Sequence, residues 1–200
     1  MIPRPVVAVA GGPALLEPSR ALRDALTAVG AAVAPVDLVS DHALPAGTGA
    51  LILGDGAPVA HAAALGANAS LRDAVVALHR AGAPIVAEGA GVAYLATSLD
   101  GHPMCDLLPA VAGPGPGGVP GPVELMAATD GPLHAIGEKR VGQPSAAVAL
   151  DVGAGEAPAW TIGRRHEGWA APGLHASLVV VPWNAARASR FVAAASGSPR

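Results

Sequence analysis

Two places in the 200-residue chain combine glycine turns with carboxylates. Gly54-Asp55-Gly56 follows the apolar run ALIL at 50–53, and Glu88-Gly89-Ala90-Gly91 follows PIVA at 84–87. Glycine turns at strand ends expose backbone N–H donors, and a carboxylate beside them can serve as acid, base or hydrogen-bond acceptor. His61, at the head of the helical pattern after the first turn, is a candidate base or anion ligand. Glu88 is either a pocket residue or a cap for the helix that follows it. Arg164-Arg165-His166-Glu167 has the charge to hold a phosphate or carboxylate, although such clusters are usually solvated turns. Cys105 is the one thiol, and a free Cys most often packs as a small hydrophobe. The seven His show no HxH or HExxH spacing, so neither a metal nor a cofactor is expected.

Positioning these groups takes strands that alternate with helices. Short Val- and Ala-rich runs at 5–10, 31–38, 50–53 and 84–87 are predicted strands. Leu22, Leu26 and Val29 share one helical face within 18–30, and Leu71, Val75 and Leu78 share another within 70–82. Helical patterns also cover 59–66 and the stretch from the second glycine turn through Leu95. Strands apolar on both sides predict a mainly parallel sheet covered on two faces, with the site beyond the strands' carboxyl ends. The run AGPGPGGVPGP at 112–122 is predicted to be a loop or lid, excluded from a helix or a central strand. Strands are expected again at 123–127, 146–152 and 157–163. The last strand is placed at 178–181, the last helix at 184–195 and a frayed tail at 196–200.

Composition excludes several classes. One Cys rules out an internal disulfide framework and a Cys-rich zinc module. A net charge of −3 argues against non-specific nucleic-acid binding, which needs a basic footprint. No unbroken apolar run approaches a membrane span of about 18 residues, and the N-terminal run is too short for a signal segment, so a cytoplasmic location is expected. Hydrophobic residues make up 52% and aromatics only 2%, so the core must be Ala, Val and Leu.

The runs GDGAPVAHAAALGANASLRDAV, PIVAEGAGVAYLATSLDGHPMCDLLP and RRHEGWAAPGLHASLVVVPW resemble, in order, the glutaminase domain of cobyrinic acid a,c-diamide synthases. That domain is a branch of the class I glutamine amidotransferases. The resemblance implies a single domain over 1–200 with a three-layer, flavodoxin-like α/β fold and a mixed, mainly parallel sheet. It also implies that the family's ATP-dependent ligase domain is absent, since the chain has no Gly-Lys pair. In the family the elbow AECGG carries a nucleophilic Cys, the last-strand motif SYLHLHW carries a base His, and a Gly-Gly turn holds the oxyanion. Here Gly89 stands at the nucleophile position, and Val180 and Pro182 stand at the two His positions. Asp55 interrupts the oxyanion turn between Gly54 and Gly56. A further family run, GHEFHYS, falls near Gly142-Gln143-Pro144-Ser145-Ala146 and has lost its His pair. His61, Asn68, Arg72, Tyr94, Gly101, Pro103, Glu167, Gly168, His175 and Trp183 match the family as scaffold.

The pattern implies a catalytically degenerate, bacterial glutaminase-like protein, related to cobalamin biosynthesis and acting as a binding or accessory subunit. A second reading is a biosynthetic enzyme that reuses the pocket around Gly54, Asp55, Gly56, His61, Glu88, Gly89 and Ala90 without a thiol. A third is an ammonia-dependent accessory subunit for corrinoid amidation. A separate ligase or biosynthetic enzyme, a second copy of the chain or a small-molecule ligand are the partners these readings admit.

Overall fold

The computed structural model describes residues 4–197. In chain order the elements are β1 (Val6–Gly11), α1 (Arg20–Ala28), β2 (Ala32–Asp37), β3 (Thr48–Leu53), α2 (Ala62–Ala67), α3 (Ala69–Arg80), β4 (Ile85–Glu88) and α4 (Val92–Leu95). There follow β5 (Ser98–Leu99), β6 (His102–Pro103), β7 (Val111–Pro114), β8 (Val123–Ala127), β9 (Lys139–Pro144), β10 (Val148–Leu150) and β11 (Trp160–Ile162). The chain closes with β12 (Arg165–Glu167), β13 (Trp169–Ala171), β14 (Leu174–Ser177), β15 (Val179–Val180) and α5 (Ala185–Gly197). Single 3-10 turns precede α2, at Pro58–His61, and α4, at Gly89–Gly91.

The main sheet has the order β13-β14-β4-β3-β1-β2, and only the β13–β14 pair is antiparallel. Strand alternation sends side chains to two opposite cores. Val7, Val9, Ala50, Ile52 and Val86 pack with Leu22, Leu26, Ala188 and Phe191 of α1 and α5. Ala8, Ala10, Leu51, Leu53, Ile85 and Ala87 pack with Leu65, Leu71, Val75 and Tyr94 of α2, α3 and α4. Burial of each such Leu or Ile stabilises by about 1.5–3 kcal/mol, which is how a sheet of Ala and Val holds three layers with few aromatics. Ser19 caps α1 by accepting from the Leu22 N–H, and Asn184 caps α5 by accepting from the Arg187 N–H. Two scaffold residues act as clamps. Asn68 donates to the carbonyls of Leu38 and Asp41, and Arg72 donates to those of Gly66 and Met104.

The second half differs from expectation in three places. Residues 111–114 form β7, an inner strand of a four-stranded sheet ordered β10-β7-β5-β6, despite their Gly and Pro. Proline is tolerated there because β5 pairs only with Val111 and Ala112, so Pro114 has a neighbouring strand on one side alone, as at an edge. The last strand, β15, falls within the expected 178–181 but not in the main sheet, whose last strand in sequence is β14 at 174–177. Leu178 gives its N–H to the Glu167 carboxylate, and β15 then joins β9 in a separate five-stranded sheet ordered β12-β11-β8-β9-β15. Helix α5 continues through Gly197, so Ser196 and Gly197 are helical, and 198–200 lie outside the described residues.

Candidate functional site

The two glycine turns meet at the carboxyl ends of β3 and β4. Glu88 is extended at φ −126°, ψ 141°, and Gly89 then turns left-handed at φ +69° to start the 3-10 turn and α4. This sharp strand-to-helix reversal is an elbow. Gly91 donates its N–H to the Gly54 carbonyl at 2.9 Å, and a Cβ on Gly91 would lie 2.5 Å from that oxygen. Only glycine lets the two turns approach so closely.

Asp55 fills the elbow. Its Oδ1 accepts from the Ala90 N–H at 2.8 Å and from the Ser145 hydroxyl at 2.8 Å. A Cβ built on Gly89 would lie 2.7 Å from Asp55 Cβ, Cγ and Oδ1 alike. The carboxylate therefore occupies the volume that any side chain at position 89 would enter. The first turn is covered as well. Segment 14–16 pairs with it, Leu16 N–H donating to Asp55 O and Ala57 N–H to Ala14 O. A Cβ on Gly56 would lie 2.5 Å from Ala14 O.

The remaining candidates do not join Asp55. Glu88 points to the opposite face of the main sheet and caps nothing. Its Oε1 accepts from Arg187 Nη2 at 2.7 Å and lies 3.6 Å from His175 Nε2, all three residues being buried. Burial would raise the Glu88 pKa, but Arg187 and His175 outweigh it and hold the carboxyl below its ordinary range. His134 extends the chain, its Nε2 3.2 Å from His175 Nδ1 and its ring 4.2 Å from that of Trp160. Burial, with help from His175 and Arg187, lowers the His134 pKa to about 3, and burial lowers His175 too, so both imidazoles are neutral. His61 is partly exposed and makes no side-chain hydrogen bond among the described residues. Val180 sits on β15 opposite Gln143, and Pro182 is exposed before α5. Neither can accept a proton.

A solved glutamine amidotransferase superposes with TM-score 0.63 at 18% identity, covering 95% of this chain and 98% of that one. A glutamine amidotransferase of Thermotoga maritima gives 0.60 at 11% identity, covering 88% and 75%. In sequence, the chain is 38% identical over 191 residues to the hydrogenobyrinate a,c-diamide synthase of Streptomyces coelicolor. It is 35% identical over 210 residues to that of Thermobifida fusca and over 205 residues to that of Mycobacterium tuberculosis. These matches cover 93–97% of this chain. The chain is a class I glutamine amidotransferase-fold relative of the hydrogenobyrinate a,c-diamide synthases. It spans 39–44% of the length of those relatives. No family profile matches it.

Cys105 is buried, and burial pushes its thiol up to about 12, which leaves no thiolate for attack at neutral pH. Arg165 and His166 lie exposed on the edge strand β12. Glu167 turns inward, accepting from the Ser177 hydroxyl and the Leu178 N–H at 2.7 Å each. Burial raises its pKa to about 7. Among the described residues no group of three His, Cys, Asp or Glu could hold a metal, and no helix is long and apolar enough to cross a membrane. Sequence reading missed Ser145, which is 90 residues from its partner Asp55, and Arg187, which is 99 from Glu88. No local spacing signals either pair.

Proposed function

We propose that this chain is a non-catalytic, glutaminase-like protein that serves as a binding or accessory subunit, in processes akin to the amidation named for its relatives. One observation carries the reading: the Asp55 carboxylate stands where a nucleophile at position 89 would project, already bonded to the Ala90 N–H. A class I glutaminase needs that volume for its thiol, and a carboxylate inside the oxyanion turn opposes a developing negative charge. Here the volume is filled by an acidic side chain, and no imidazole is available at positions 180 or 182. Its partner, on this reading, is an ATP-dependent ligase or another biosynthetic enzyme.

The test is glutamate release from glutamine by the purified chain. No turnover above a heat-denatured control is expected, with or without a corrinoid ligase present. Turnover abolished by Cys105→Ala would overturn the reading. Turnover abolished instead by Asp55→Asn would favour a reused pocket.

A further inference from the structure

A shallow cleft of about 630 Å³ lies on the outer face of the five-stranded sheet, away from the elbow. Its floor is formed by β8 and β9, which pair antiparallel with Glu124 opposite Val141 and Met126 opposite Lys139. All four side chains are exposed, Met126 at 42% and Val141 at 57%, although strand alternation ordinarily turns polar residues outward here. Neither Glu124 nor Lys139 forms an ion pair among the described residues, whereas neighbouring Arg140 is held by Glu138. Two opposite charges thus occupy one diagonal of the quartet, and two apolar side chains occupy the other.

We propose that this face pairs with a second copy of the chain about a twofold axis along the Met126–Val141 diagonal. Of the in-plane twofold axes through the centre of the quartet, along its sides or its diagonals, that one alone makes the pattern self-complementary. It stacks Met126 on the partner's Met126 and Val141 on the partner's Val141. It also sets Glu124 against the partner's Lys139, and Lys139 against the partner's Glu124. An axis along the strands, or across them, lays each charge on an apolar side chain, and an axis along the charged diagonal lays like on like. With strands about 4.8 Å apart and about 3.4 Å of rise per residue, the chosen axis crosses the two copies' strands at roughly 70°, near the orthogonal class of sheet packing. An isologous contact of this kind closes as a dimer rather than a fibre. Pairing through this face does not depend on what the elbow does.

The test is molar mass by light scattering or sedimentation over a rising concentration series. The wild-type chain is expected to approach twice its 19.4 kDa monomer mass. Glu124→Lys and Lys139→Glu should each weaken pairing by about tenfold or more, because each sets like charges together twice. Both sites are exposed, and unchanged circular dichroism would confirm that the variants fold. The double exchange, Glu124→Lys with Lys139→Glu, should restore the dimer. A mixture of the two single variants should form a heterodimer that neither forms alone. A wild type monomeric at every concentration, or a dimer indifferent to both single exchanges, would overturn the proposal.

Discussion

Placing a methyl group on the elbow measures how firmly Asp55 holds it. Gly89→Ala adds a Cβ at φ +69°, a left-handed conformation that costs an L-residue about 1–2 kcal/mol. The same Cβ meets three Asp55 atoms at 2.7 Å, so the carboxylate must leave. Its departure breaks two hydrogen bonds to a charged group, each worth about 1.5–3 kcal/mol at most and less where the site is partly open. The expected loss is about 3–5 kcal/mol, or a fall in Tm on the order of 6–20 °C for a chain of this size. Asp55→Gly alone forfeits the hydrogen bonds and adds backbone freedom, costing about 2–4 kcal/mol. In the double variant the clash is gone and only the backbone strain is added, so it should lie only about 1–2 kcal/mol below Asp55→Gly. Urea unfolding of the four proteins in a double-mutant cycle reads the coupling directly. A coupling of about 2–3 kcal/mol in favour of the double variant is expected. Simple additivity, or a Gly89→Ala variant as stable as wild type, would refute the steric argument.

Three further outcomes follow from the buried groups. Arg187→Met should destabilise by about 3–5 kcal/mol, since it leaves Glu88 buried without its counter-charge, and Glu88→Gln together with Arg187→Met should recover part of that loss; urea unfolding tests both. His134 is neutral in the fold and has its pKa lowered to about 3, so its contribution is complete above the unfolded value near 6.5 and fades as pH falls from there toward 3. Glu167, raised to about 7, acts with the opposite sign: its contribution is complete below about 4.5 and is lost as pH rises through 7. Glu167→Gln should therefore steepen the acid loss of stability between pH 4.5 and 6.5 by up to about 1.4 kcal/mol per unit, and His134→Leu should flatten it; an unchanged slope in both would contradict the assigned burial. Cys105 should resist iodoacetamide in the native protein at pH 8 and react fully in urea, whereas prompt native labelling would show that the thiol is accessible.

The first half of the fold was legible because its code is local. Runs such as Val6–Gly11 and Ile85–Glu88 are apolar on both sides, and the glycine turns that end β3 and β4 mark where the site must lie. The second half depends on pairings between distant segments. β9, reading KRVGQP, has no apolar alternation and a single β-branched residue, Val141, and it is a strand only because β8 and β15 flank it. The run LVVV at 178–181 has the better strand composition than LHAS at 174–177. Yet the inward carboxylate of Glu167 takes the Leu178 N–H and the Ser177 hydroxyl, so the chain leaves the main sheet one residue before the apolar run begins. At the site, Asp55 stood out as a departure from the family pattern, but its role as the occupant of the elbow needed Ser145 and the left-handed turn at Gly89. Strand alternation turns Glu88 toward α5, where Arg187, 99 residues away, holds its carboxylate, and no local spacing announces that partner.

Mutual exclusion between positions 55 and 89 also constrains substitution. A side chain at 89 and the Asp55 carboxylate in its present place cannot coexist, so a thiol at the elbow requires a change at position 55 as well. With Asp55 bonded to Ala90 and Ser145, a side chain introduced at 89 alone is a destabilising step. The route to a thiol there runs through position 55 first, across an intermediate with neither plug nor nucleophile. The contact acts as a latch.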